Sequence, residues 1–147
     1  MIISRTPYRL SFFGGGTDYN SWYETNGGLV LAVGLAHYCY ITVRELPPFF
    51  EHKHRIVYSK MEHVQNVNEI DHPSVRACLE YKNILNGLEV HYDGDLPARS
   101  GIGSSSSFTV GLLNSLACFK GEEFSKIELA KQAIHIEQNK LSEYVGV

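Results

Sequence analysis

The chain has little from which to build a disulfide framework, a metal cage, a membrane span or a nucleic-acid surface. Of its 147 residues only three are cysteine. Cys39, Cys78 and Cys118 stand far apart, with no pair at zinc or redox spacing, and an odd number leaves no framework to close. A reducing, cytoplasmic setting is the expectation. No apolar run approaches the roughly 20 residues of a membrane helix. The opening MIISRTPYRL has no signal-peptide pattern either, so no membrane partner is expected. Charge is equally sparse: 20% of residues carry one and the formal net is −3, without a Lys/Arg run. That argues against a nucleic-acid partner. The densest basic stretch, His52-Lys53-His54-Arg55, follows Pro47 and Pro48 and reads as a solvated loop. His52 and His54, at i and i+2, are too few for a metal that takes three or four ligands, and His37 and His135 have no evident partner.

What is present is an ordinary globular composition, 44% hydrophobic, at a length sufficient for one core. Residues 1–13 read as a strand interrupted by Pro7, and LVLAVGLAHYCYITVREL as a long one rich in β-branched and aromatic residues. RIVYSK reads as a short strand. GLEVHYDGD alternates Leu88, Val90 and Tyr92 against Glu89, His91 and Asp93, the pattern of a half-buried strand. HPSVRACLEYKNIL predicts a helix stopped at Asn86-Gly87. A second, apolar on most sides, follows the serines and stops at Gly121. A third opens on the capping box Ser125–Glu128, with Phe124 and Leu129 placed for a hydrophobic staple. Strands and helices mix without regular βαβ alternation, so the class is α+β.

The stretch GDLPARSGIGSSSSFTVGLL raises the functional question. A linker would have polar neighbours, whereas here a strand precedes and a buried helix follows. A helix cap needs one serine, not the four of Ser104–Ser107, and explains neither Gly101 nor Gly103. A Walker A loop needs a lysine that is absent, and a dinucleotide fingerprint needs a third glycine. A phosphate site of another kind survives: glycines that let a ligand approach the backbone, a helix N-terminus facing an anion, and hydroxyls that cap, donate to phosphate or reach a magnesium ion.

The last helix adds a carboxylate. Ile127, Ala130, Ile134 and Leu141 recur at helical spacing and predict a core-facing stripe, and Glu137 falls on it. Burial of an unpaired carboxylate costs several kcal/mol, roughly. Either a Lys or Arg pairs with it, or it serves as a magnesium ligand facing the serines. Near the start of the chain, three glycines lead into Thr17, Asp18 and Tyr19. That is more than a hairpin turn requires, and it suggests a loop against a small polar ligand whose hydroxyls donate to Asp18.

On these residues the chain resembles the GHMP kinases, ATP-dependent small-molecule kinases that include galactokinase, homoserine kinase, mevalonate kinase and phosphomevalonate kinase. The family's proline and glycine-x-glycine-leucine-glycine-serine-serine motif is similar to Pro97 through Ser105, departing at Arg99, where the pattern has a glycine, and at Ile102. Its first motif in sugar-phosphorylating members resembles Arg9 through Tyr19, and IEQNKL resembles the segment whose glutamate helps hold magnesium. GGGTDY together with GSSSS looks most like bacterial kinases of the D-glycero-D-manno-heptose 7-phosphate type. Galactokinase-like members carry a bulkier acidic-histidine pair where Gly15 and Gly16 stand, which suggests room here for a larger or phosphorylated sugar.

The resemblance implies ATP and Mg²⁺ as cofactors and a sugar or sugar phosphate as the partner, and a homodimer is compatible with it. Pro97, Ser100, Gly101, Ile102, Gly103 and Ser104 to Ser107 would bind ATP, with Ser105 and Glu137 on the metal. Arg9, Gly15, Gly16, Thr17, Asp18 and Tyr19 would bind the sugar, with Arg9 also offsetting charge in catalysis. The implied fold is a mixed sheet with helices packed on one side, related to the second domain of ribosomal protein S5. Residues 1–147 would then be the N-terminal, ATP-binding domain, without the C-terminal domain and without a residue matching the family's general-base aspartate; Glu143 reads as solvated. A non-catalytic nucleotide- or sugar-binding module, a free-sugar kinase and a purely structural domain are the rival readings.

Overall fold

The computed structural model describes residues 1–85, 87–97 and 100–141. Its strands are β1 (Ile2–Phe13), β2 (Leu31–Glu45), β3 (His54–Val57), β4 (Met61–Val64) and β5 (Leu88–Gly94). They form one sheet in the order β1-β2-β5-β3-β4, in which β3 and β5 run parallel and the other neighbours antiparallel. The sheet is mixed, as the resemblance implied. Alternation in β2 brings Cys39, Ile41 and Val43 to one face, where they are buried beside Leu88 and Val90 of β5 and Ile56 of β3. Pro7 lies on the edge strand β1, where no ladder hydrogen bond is lost to it, and the register with β2 shifts between Pro7 and Arg9.

Among the described residues four α-helices accompany the sheet: α1 (Asn20–Asn26), α2 (Pro73–Tyr81), α3 (Ser104–Lys120) and α4 (Lys126–Ile134), the last running on as a π-helical segment, His135–Lys140. α3 buries Phe108, Leu112, Leu113 and Leu116 against the sheet, each contributing about 2 kcal/mol. It lies close because Gly111 has no Cβ: one there would stand 2.8 Å from the Thr6 hydroxyl. The Ser4 hydroxyl donates to the Gly111 carbonyl at 2.9 Å, fixing that approach.

Several expectations are corrected. α2 ends at Tyr81 rather than at Asn86-Gly87, because Asn83 takes a left-handed φ of 51° and Ile84 N–H returns to Leu79 C=O, a Schellman closure that asparagine tolerates. Asn86 lies outside the described residues, as do Ala98, Arg99 and residues 142–147, Glu143 among them. The basic stretch is not a solvated loop: His54 is fully buried in β3, and Arg55 pairs with Glu89 at 2.9 Å. The stripe on the last helix is not the buried face, since Ile127 is 69% exposed while Ala133, Ile136 and Glu137 are buried. There the π turn, closed by Leu141 N–H on Ile136 C=O, changes the angular period after His135. The helix stop at Gly121 and the Ser125–Glu128 capping box form as expected.

At the far end of the β1–β2 ribbon, Phe12, Phe13, Leu29, Leu31 and, on α1, Trp22 are all exposed. Among the described residues no helix is long and apolar enough to cross a membrane.

Candidate functional site

The serine stretch bends into α3 through two left-handed glycines, Gly101 at φ 75° and Gly103 at φ 72°. Such angles strain any residue with a Cβ. Gly103 also lies against the Arg9 side chain, where a Cβ would stand 3.2 Å from Arg9 Cγ. Arg9 N–H donates to Ile102 C=O at 3.1 Å, so strand β1 holds the loop from behind. Gly103 is the N-cap, and among the described residues no side chain caps the helix. Of the three roles the sequence left open to the serine hydroxyls, capping is not taken there. The hydroxyls turn elsewhere: Ser107 donates to Pro7 C=O at 3.0 Å, and Ser100 to Pro97 C=O at 2.8 Å.

Glu137 is 2% exposed, and the helix N-terminus delivers hydroxyls to it. Ser106 Oγ donates to its Oε2 at 3.1 Å, and Thr109 Oγ1 and Ser105 Oγ donate to Oε1 at 3.0 and 3.4 Å. The carboxylate thus lies over the first two turns of α3, whose dipole favours negative charge there. Burial, with the Glu137 charge adding to it, pushes the nearby Cys78 thiol up to about 12.

The first glycine loop is built differently. Gly14 and Gly28 are the positions that admit no Cβ, which would stand 1.9 Å from Leu29 O and 2.1 Å from Thr17 O. Thr17, expected to touch a sugar, uses its hydroxyl to donate to Gly14 C=O at 2.7 Å and to accept from Leu29 N–H at 3.2 Å. It staples the loop. Asp18 Oδ1 accepts from Gly16 N–H at 2.9 Å. Gly15 has nothing within 4 Å of a would-be Cβ, and Gly16 has a φ of 95°. Tyr19 is the N-cap residue of α1.

Among the described residues, three of the cavities are lined by these parts. A cavity of about 320 Å³ brings together Arg9, Ser11, Asp18, Ser106 and Glu137. Arg9 Nη1 donates to Ser11 Oγ at 3.0 Å within it. Asp18 and Val30 are shared with a second, of about 540 Å³, lined by Thr17, Tyr23, Gly27, Gly28 and Leu29. On the other side Ser104 and Ser105 line a third, of about 220 Å³, with Tyr58, His72, Tyr92 and Phe108. The sequence reading missed this aromatic cavity, because its walls come from the turn after β3, the start of α2, β5 and α3 and share no local motif. The His72 ring stacks on Phe108 at 4.9 Å, and burial lowers its pKa from the ordinary value.

Comparison with known proteins gives a consistent family. The profile of the GHMP kinases N terminal domain matches residues 66–146, more than half of the chain. The D-glycero-alpha-D-manno-heptose 7-phosphate kinase of Campylobacter jejuni is 28% identical over 95% of this chain and 44% of its own length. The galactokinase of Thermotoga maritima is 26% identical over 97% of this chain and 39% of its own. In fold the chain matches the crystal structure of a D-glycero-D-manno-heptose 1-phosphate kinase from Bacteroides thetaiotaomicron, with a TM-score of 0.84 at 21% identity over 99% of this chain and 51% of that one. The chain spans about half the length of these relatives, or less.

Proposed function

Because this chain belongs to the GHMP kinases, we propose that it forms the ATP- and sugar-binding part of an enzyme that transfers the γ-phosphoryl group of ATP to a hydroxyl of a sugar phosphate of the heptose 7-phosphate type. The observation that carries this reading is one cavity wall. Arg9, Asp18, Ser106 and the buried Glu137 line the same 320 Å³ space beside a glycine-turned helix N-terminus. Nucleotide phosphates would lie along Gly101 to Ser105, with the nucleoside in the aromatic cavity next to Ser104 and Ser105. The sugar would occupy the cavity on the far side of Asp18.

The donor set suits magnesium. Glu137 offers a carboxylate and Ser105 a hydroxyl, hard oxygen ligands of the kind Mg²⁺ takes beside phosphate oxygens. When bound, the ion neutralises charge on the β- and γ-phosphates. The chain's own residues position and compensate. Arg9, held by Ser11, places a positive charge in the cavity that Asp18 and Glu137 also line. Asp18, fixed by Gly16 N–H, presents an acceptor to the sugar's hydroxyls. Holding both reactants in adjoining cavities converts a bimolecular step into a local one. We assign the general base to a position shortly after the Glu137 helix and the closing of the sugar cavity to a C-terminal domain, with the exposed ribbon of Phe12, Phe13 and Leu31 as that domain's seat and the cytoplasm as the compartment.

Calorimetric titration with MgATP tests the phosphate site. Glu137→Gln and a Ser104/Ser105 double-alanine variant are both expected to weaken binding, and unchanged affinity in both would overturn the assignment. For the sugar, open space at Gly15 is the supporting feature. Gly15→Glu alone should shift preference from the sugar phosphate toward the free sugar. Gly16 is left untouched because its φ strains any side chain.

A further inference from the structure

We propose that Glu62, which does not line the aromatic cavity, is its positioning residue: by gripping the chain at His72 it sets where the packed rings of His72, Phe108 and Tyr58 stand in the cavity wall, and so the cavity's affinity for a purine base. The proposal rests on the reading that this cavity takes the nucleoside.

Glu62 lies on β4 and is 9% exposed. Among the described residues it has no salt bridge. Its stabilisation comes from the chain entering α2: Oε2 accepts from Asp71 N–H at 2.6 Å and Oε1 from His72 N–H at 3.1 Å. These are charge-assisted bonds at a helix N-terminus, where a carboxylate is favoured twice over. The Tyr58 hydroxyl interacts with the same carboxylate; after burial, that interaction helps push it up to about 12. Glu62 therefore joins two walls of the cavity from outside it.

His72 is the wall that matters most. Its Nδ1 accepts from Val75 N–H at 3.4 Å, which leaves the ring proton on Nε2. The ring is stacked on Phe108, with interplanar angle 21°, and Tyr58 meets it edge-on at 4.8 Å. Backbone, tautomer and ring plane of His72 are thus fixed by Glu62, Val75 and Phe108 respectively. A flat base suits a cavity whose wall is this packed ring cluster.

The test separates base from phosphates. Dissociation constants for MgATP and for magnesium tripolyphosphate, which has no base, are measured for the wild-type chain, Glu62→Gln, Tyr58→Phe and Val43→Ala. Val43, a buried β2 residue outside the cavity, is the stability control. Glu62→Gln keeps the shape but turns an N–H₂ group against a backbone N–H. It should lose about tenfold in MgATP affinity while keeping tripolyphosphate affinity. Tyr58→Phe should lose less in the same direction, and Val43→Ala should lower the melting temperature without changing the ratio of the two constants. Equal weakening of both ligands in Glu62→Gln, or no weakening, would overturn the proposal by reducing Glu62 to a structural residue. Should Glu62→Gln fail to fold, an unchanged ratio in Tyr58→Phe overturns it instead. A wild-type chain that binds tripolyphosphate as tightly as ATP would remove the nucleoside reading itself, a result visible before any variant is made.

Discussion

At the β4–α2 corner Glu62 is gripped by the backbone N–H groups of Asp71 and His72, whereas beside the start of α3 Glu137 is held by the hydroxyls of Ser105, Ser106 and Thr109. Both carboxylates are buried, and both lie near a helix N-terminus. They differ in what their donors can do next. A backbone N–H points where the chain points, and losing its acceptor leaves it stranded. A hydroxyl rotates, and it both donates and accepts. The first arrangement fixes a carboxylate into the fold; the second keeps one ready to exchange partners for a metal and a phosphate. Burial alone would have ranked the two as equals.

The strongest way to break this comparison is to remove each charge and follow magnesium. Glu137→Gln should lower MgATP affinity about hundredfold, or about 2.7 kcal/mol, and make ATP binding indifferent to Mg²⁺. Glu62→Gln should preserve the Mg²⁺ dependence even where overall affinity drops. Calorimetry with and without the metal reads both. A magnesium-dependent Glu137→Gln would end the distinction.

Stability should rank the pair in the opposite order. Glu62→Ala leaves two backbone N–H groups in a partly buried place without acceptors, at a cost of about 2–3 kcal/mol. Glu137→Ala leaves hydroxyls that can turn to other acceptors, at a cost nearer 1 kcal/mol, roughly. Urea denaturation checks this, and a larger loss in Glu137→Ala would reverse the reading of which carboxylate belongs to the fold.

The two regions also differed in how far they could be read beforehand. Glu137 was visible because it interrupts an apolar helix, and its burial follows even though the stripe around it was placed wrongly. The wrong face has a physical cause: a π turn has no residue signature, and among the described residues nothing covers Ile127, which is 69% exposed. Gly101 and Gly103 were readable from residue type, since positive φ is glycine's particular freedom. Glu62 was not. MEHV has no strong strand pattern, and the burial of Glu62 depends on Asp71 and His72, which come later in the chain. That the Thr17 hydroxyl bonds Gly14 and, across the loop, Leu29 was hidden for a similar reason. Chemistry local to one element was legible; chemistry made by two elements meeting was not.

Acid should separate the regions more gently. Burial lowers the pKa of both His54 and His72, with Lys53 adding to the effect at His54. The unfolded chain then binds protons that the folded one refuses once the pH drops below about 6.5. Stability present above that pH is lost as the pH falls toward the folded values. Both histidines belong to the β3–α2 side. Amide protection factors there, referred to the slower intrinsic exchange at lower pH, should fall between pH 7 and pH 5.5, roughly, before those in α3 do. Earlier opening of α3 would show that the Glu137 region, not the Glu62 corner, is the acid-sensitive one.

The smallest effect expected is also the sharpest test of rotating donors. Ser106 Oγ and Thr109 Oγ1 reach opposite oxygens of Glu137, but Thr109 is fully buried while Ser106 lines the open cavity. Ser106→Ala removes one replaceable donor. Water from the cavity can take its place on the carboxylate, so MgATP affinity should fall only about threefold and stability by less than about 0.5 kcal/mol. Thr109→Val keeps the shape and deletes a donor that water cannot replace, so its cost falls on the fold, at about 1–2 kcal/mol. If Ser106→Ala proves as costly to stability as Thr109→Val, then Ser106 anchors Glu137 as firmly as the backbone anchors Glu62. The idea of a carboxylate held ready for exchange would then fail at its most exposed contact.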